Sequence, residues 1–148
     1  MSESVRVLFC SASVGSGHIR AAKAIAKDFP DSRILDILDF VPRWFRAIYH
    51  RGYFLAVKLF PDLVGWCYRL TDVHLADRGM IADFTDWIED MVCHRFMDQI
   101  REESKNVDII VSTHFLTTGI LGRMRLRGEL TKPIVTVVTD RHPHSIWL

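Results

Sequence analysis

The run Val5-Arg6-Val7-Leu8-Phe9-Cys10 constrains the fold of this chain more than any other segment. It is short, rich in β-branched residues and apolar at nearly every position, and Ser11-Ala12-Ser13-Val14-Gly15-Ser16-Gly17 turns the chain directly after it. A strand of that pattern is covered on both faces, as strands in parallel sheets are. Ile19, Ala22, Ile25, Ala26 and Phe29 then recur at three- and four-residue steps until Pro30, which predicts a helix. Arg33-Ile34-Leu35-Asp36-Ile37-Leu38 reads as the next strand. Strand, glycine turn, helix and strand in this order make a βαβ unit and place the chain in the α/β class.

The remaining order extends that unit. Residues 42–70 hold Trp44, Phe45, Tyr49, Tyr53, Phe54, Phe60, Trp66 and Tyr68, interleaved with Arg43, Arg46, Arg51, Lys58 and Arg69. They predict one or two helices interrupted near Pro61-Asp62. A loop over residues 71–82 leads to a helix with Phe84, Trp87, Ile88, Met91, Val92, Phe96 and Ile100 on one stripe. Val107-Asp108-Ile109-Ile110-Val111 predicts a third strand, Leu116 to Arg127 a helix closed by Gly128, and Pro133 to Val138 a fourth strand. Apolar residues make up 49% of the 148-residue chain, which supplies a core and excludes intrinsic disorder. Nineteen Lys and Arg against eighteen Asp and Glu leave a net charge of +1, so no nucleic-acid partner is expected. Cys10, Cys67 and Cys93 are scattered and odd in number, which argues for buried free thiols rather than disulfides or a zinc ribbon. No run reaches the roughly 20 apolar residues of a membrane-spanning helix.

Candidate chemistry collects at the strand ends. Gly15-Ser16-Gly17-His18 lies between a strand and a helix, where backbone amides and the helix dipole favour an anion and a neutral imidazole. It is neither a Walker loop nor a full dinucleotide fingerprint, since Arg20 stands where the third glycine would fall. Ser112-Thr113-His114 and Thr139-Asp140-Arg141-His142-Pro143-His144 follow the third and fourth strands, so His18, His114, Asp140 and His142 or His144 can converge at one sheet edge. A base with an orienting carboxylate suffices to activate a hydroxyl, and no metal is expected. The aromatic and basic segment, with Arg43, Trp44, Arg46, Arg51 and Tyr53, reads as an interfacial helix pair facing an anionic membrane surface.

Three segments together resemble one family. They are Ser13-Val14-Gly15-Ser16-Gly17-His18-Ile19-Arg20-Ala21-Ala22, Val107-Asp108-Ile109-Ile110-Val111-Ser112-Thr113-His114, and Val138-Thr139-Asp140 with His144 and Trp147. The resemblance is to the N-terminal domain of monogalactosyldiacylglycerol synthases and bacterial processive diacylglycerol glucosyltransferases. It implies the Rossmann-like N-terminal half of a GT-B glycosyltransferase over residues 1–148, with a parallel sheet, flanking helices and a helical aromatic and basic insertion. It further implies an inverting hexosyl transfer from a nucleotide sugar to diacylglycerol or a similar lipid, without a metal or other cofactor. His18, Asp140 and His144 are then the catalytic candidates, with His18 or Asp140 as base. Gly15, Ser16, Gly17, His114 and Trp147 would hold acceptor or phosphate. Between Asp140 and His144, Arg141-His142-Pro143 is more basic than the family's pattern.

The chain ends at Leu148, eight residues past Asp140, where a doubly wound domain would continue. The expectation is a truncated chain that needs a missing C-terminal, donor-binding half for turnover. It would sit peripherally on the cytoplasmic face of a membrane. Two other readings belong to different classes: a stand-alone phosphate- or nucleotide-binding α/β module, and a metal hydrolase built on His114, Asp140, His142 and His144.

Overall fold

A computed structural model of the chain describes residues 4–14, 16–59 and 80–140, with backbone alone for residues 50, 53–58, 80–83 and 85. Strands β1 (Val7–Ser11), β2 (Ser32–Asp36), β3 (Ile109–Ser112) and β4 (Ile134–Thr136) form one sheet in the order β2-β1-β3-β4. Every pairing is parallel, with Phe9 opposite Ile34 on one side and Val111 on the other, and Val111 opposite Val135. Helices α1 (Gly17–Ala26), α2 (Arg43–Leu59), α3 (Met80–Glu103) and α4 (Phe115–Leu126) flank it. The architecture is α/β and Rossmann-like.

Strand β1, apolar at every position but Ser11, is covered on both faces. Val7 and Phe9 point to the face that carries α1, where Ala22, Ile25 and Phe29 pack with Val111 and Ile34. Leu8 and Cys10 point the other way, into a larger core built with Phe96 and Ile100 of α3 and with Leu116, Ile120 and Met124 of α4. Phe45 and Tyr49 of α2 and Ile88 of α3 close this second core from outside. Cys10 and Cys93 are free and buried, and burial pushes the Cys93 thiol up to about 12 and that of Cys10 higher still. Neither is a thiolate near neutral pH, so both are packing residues. Cys67 lies outside the described residues.

Two expectations need correction. The second strand stops at Asp36, and Ile37–Asp39 forms a 3-10 turn, because the Asp36 carboxylate accepts the amide of Leu38 at 3.0 Å and bends the chain. The apolar stripe on α3 divides between two faces. Steps of four residues drift round an α-helix, since its turn is 3.6 residues. Val92, Phe96 and Ile100 therefore reach the core, whereas Phe84, Trp87 and Met91 stay 53–59% exposed. The helix also starts two residues before the predicted loop ends.

Helix α3 is fastened to α4 by charge. Arg123 of α4, with only 14% of its side chain exposed, donates to Asp86 at 2.9 Å, to Glu89 at 3.0 Å and to Asp90 at 2.9 Å. Arg127 pairs with Asp90 as well. Burial raises the Glu89 carboxyl, an effect that Arg123 partly offsets.

Helix α4 ends in a double reverse hydrogen bond: Glu129 N–H donates to Met124 O and Gly128 N–H to Arg125 O, both at 2.9 Å. This geometry puts the closing residue in the left-handed region, and Gly128 has φ +75°. Replacing Gly128 by Ala is expected to cost about 1 kcal/mol, because a Cβ there meets its own carbonyl. Urea unfolding should show a lowered midpoint with an unchanged slope.

Candidate functional site

Strand order β2-β1-β3-β4 reverses direction of growth between β1 and β3, and an open α/β sheet forms its ligand crevice beyond the carboxyl ends of the strands at such a point. His18 enters it from the first turn of α1, and His114 from the end of β3. Their rings meet edge to face with centroids 4.4 Å apart. The two histidines, ninety-six positions apart in the sequence, are therefore neighbours at the switch point of the sheet.

The floor of the crevice is a buried hydroxyl network. Ser11, Ser112, Thr113 and Thr117 are all fully buried. The Thr113 hydroxyl donates to Ser11 Oγ at 2.9 Å and lies 3.2 Å from the His18 carbonyl. Ser112 Oγ lies 2.7 Å from Thr117 Oγ1, which donates to the His114 carbonyl at 2.8 Å. Among the described residues no buried side-chain nitrogen or oxygen lacks a partner, as a network in low dielectric requires.

The histidines do different things. His114 is 1% exposed, and its Nδ1 accepts the amide of Leu116 at 3.1 Å, capping α4. The hydrogen of its neutral ring is therefore on Nε2. Burial, reinforced by nearby His18, depresses its pKa to about 3. His18 is half-buried, and its Nδ1 lies 2.9 Å from the Thr113 carbonyl and 2.5 Å from Thr139 Oγ1. A carbonyl can only accept, so this contact favours the tautomer with the hydrogen on Nδ1 and the lone pair on Nε2. One ring is a fixed neutral donor and its neighbour a base in form.

Asp140 is half-buried, one residue beyond Thr139, which puts it on the same edge as His18. Ser16 caps α1 without a side-chain hydrogen bond, and no acidic residue occupies the first turn of the helix. A Cβ on Gly17 would meet nothing within 4 Å. Gly15, His142, His144 and Trp147 lie outside the described residues. Among the described residues, no three His, Cys, Asp or Glu side chains stand together as a metal site.

Three contributors escaped the sequence reading. Thr113 and Thr139 were visible only as polar residues at strand ends. Asp36 was read as part of a strand, yet its carboxylate accepts both Leu38 N–H and, at 3.2 Å, Ser13 N–H of the glycine loop. In dinucleotide-binding folds, an acidic residue roughly 20 positions after the glycine turn holds the ribose. Here that carboxylate is engaged by the loop itself, which weakens the nucleotide-module reading.

The family model for monogalactosyldiacylglycerol (MGDG) synthase matches residues 18–148. The chain belongs to the MGDG synthase family. The matched range begins at His18 and includes Thr113, His114, Thr139 and Asp140, whereas Ser11 and the glycine turn precede it. The family name gives glycosyl transfer in glycolipid synthesis, with diacylglycerol as the lipid that receives the sugar. Comparisons with curated proteins and with solved structures gave no match.

Because His114 stays neutral in the fold down to about pH 3, while an unfolded histidine takes a proton near 6.5, acid favours the unfolded chain throughout that window. Stability from this group is complete above pH 6.5 and falls by roughly 1.4 kcal/mol per unit below it. Substitution of His114 by Asn, which keeps a cap acceptor, should remove roughly 2 kcal/mol of the loss between pH 7.5 and 5.0. Urea titrations of both proteins at the two pH values measure the difference.

Proposed function

We propose that this chain is the acceptor-side domain, residues 1–148, of an inverting GT-B glycosyltransferase that moves a hexose from a nucleotide sugar to diacylglycerol. A donor-binding half completes the site and is needed for turnover. The observation that carries the reading is the orientation of His18 at the switch point of the sheet, in a chain of the matched family. Its Nδ1–H is committed to the Thr113 carbonyl, so Nε2 is the atom that takes a proton.

In this reading the acceptor hydroxyl oxygen attacks the anomeric carbon from the face opposite the leaving group. Its proton passes to His18 Nε2 as the new C–O bond forms and the bond to the nucleoside diphosphate breaks. The configuration at carbon inverts in that single displacement, and the diphosphate leaves with the electron pair. His114 holds the other side of the His18 ring, while Asp140 and His144 complete the acceptor end of the site. Amides of the first turn of α1, with Gly15, Ser16, Gly17 and Trp147, receive the polar part of the acceptor. No metal or other cofactor takes part.

Among the described residues no helix is long and apolar enough to cross a membrane. A peripheral contact fits α2 instead. Phe45 and Tyr49 face the core, Trp44 and Ile48 form the next row and are 59% and 64% exposed, and Arg43, Ala47 and Arg51 form the row beyond. With Arg46, which also pairs with Asp39 at 3.0 Å, these last residues line a shallow cavity of about 290 Å³. An apolar row beside an arginine row suits the interface of an anionic leaflet, with Trp44 at headgroup depth. The side chain of Tyr53 lies outside the described residues. We place this contact on the cytoplasmic leaflet.

Two measurements test these assignments. In enzyme carrying the donor-binding half, His18→Gln should lower kcat by roughly 10²–10⁴ with little change in the KM for diacylglycerol. An equal loss in Asp140→Asn, with His18→Gln unaffected, would move the base to Asp140. For the membrane contact, exchanging Arg43, Arg46 and Arg51 for Glu should abolish co-sedimentation with phosphatidylglycerol vesicles, since each basic residue contributes roughly 1 kcal/mol there. Unchanged sedimentation of a folded triple variant would place the lipid-facing surface elsewhere.

A further inference from the structure

We propose that Thr139 is a positioning residue for His18, holding the imidazole, together with the Thr113 carbonyl, in the tautomer whose lone pair is on Nε2. The inference rests on His18 being the base of the proposed transfer and deepens that assignment.

Two oxygens converge on one ring nitrogen. The Thr113 carbonyl is 2.9 Å from His18 Nδ1 and Thr139 Oγ1 is 2.5 Å from it. If the hydrogen were on Nε2, the bare Nδ1 would face the carbonyl lone pairs at that distance, a repulsive arrangement. With the hydrogen on Nδ1, it is shared between the two oxygens. The Thr139 hydroxyl then directs its own hydrogen toward the Thr113 carbonyl, 3.5 Å away. The Thr139 oxygen thus closes a small ring of three groups drawn from three places: the start of α1, the end of β3 and the segment after β4.

The same pair of oxygens serves the reaction. When Nε2 takes a proton, positive charge spreads to Nδ1–H and strengthens both hydrogen bonds. Serine hydrolases assign this orienting task to a buried aspartate. Here a carbonyl and a hydroxyl carry it, and the aspartate of this segment, Asp140, is one residue further along. The edge-on His114 ring, 4.4 Å away, limits tilting on the remaining side. Thr113 cannot be altered to test its carbonyl, but Thr139 can.

The test is a ¹⁵N spectrum of the histidine ring nitrogens in the uniformly labelled chain, above about pH 8, where a free imidazole is neutral. His18 in the unaltered protein should show a protonated Nδ1 and a bare Nε2. Thr139→Val, which keeps the shape and removes the oxygen, should give a mixture of both tautomers, and Thr139→Ser should restore the original signature. Thr139→Ala replaces the valine variant if amide spectra show that Val disturbs the fold. A bare Nδ1 in the unaltered protein overturns the proposal. So does an unchanged signature in the variants without the hydroxyl, or a serine variant that behaves like them. No sugar donor is present, so a correct tautomer beside a fully active His18→Gln enzyme would reject the base and leave the positioning intact.

Discussion

All four of the described strands run in one direction, and that restriction decides where this chain can do chemistry. Parallel neighbours cannot be joined by tight hairpins, so each connection crosses a face and returns to the same end of the sheet. The carboxyl ends of β1 and β3 consequently lie side by side, with α1 and α4 starting just beyond them. Two helix N-termini, two histidines and a hydroxyl network share one edge for that reason. The opposite end is closed by the exposed pair of Arg6 and Asp108, whose worth is small in water.

Within that edge, Thr113 is the junction. Its amide donates to Cys10 O at 3.0 Å, its hydroxyl ties Ser11 and the backbone of His18, and its carbonyl receives the His18 ring. One residue thereby connects β1, α1 and β3. Each such bond is worth about 1 kcal/mol net, but losing one inside a dry site costs more, because the abandoned partner finds no water. Stability and aim of the site are therefore set by the same contacts.

The strands were legible because short β-branched runs bounded by Gly, Ser, Asn or Pro leave few alternatives. The meeting of His18 and His114 was legible too, once each was placed just after a strand of one parallel sheet. Asp36 was misread since its carboxylate acts on a backbone amide two residues ahead, which a run of apolar neighbours conceals. The α3 stripe was misread because i+4 spacing alone does not say how far a face rotates across a long helix, or where the sheet beneath it stops. Thr113 and Thr139 were overlooked as agents. A threonine after a strand is ordinary, and only tertiary closure brings two of them to one imidazole nitrogen.

One of the two groups that hold the His18 ring belongs to the main chain. Every residue type would offer the same oxygen at position 113, so the identity of that residue does not encode the contact. Substitution tables and alanine scans register side chains, and both would pass over it. Natural drift can change the Thr139 hydroxyl, or whatever else surrounds the ring, far more easily than it can change that carbonyl. A site anchored in this way can change its other contacts while the His18 ring keeps this one, as long as β3 keeps its register beside β1.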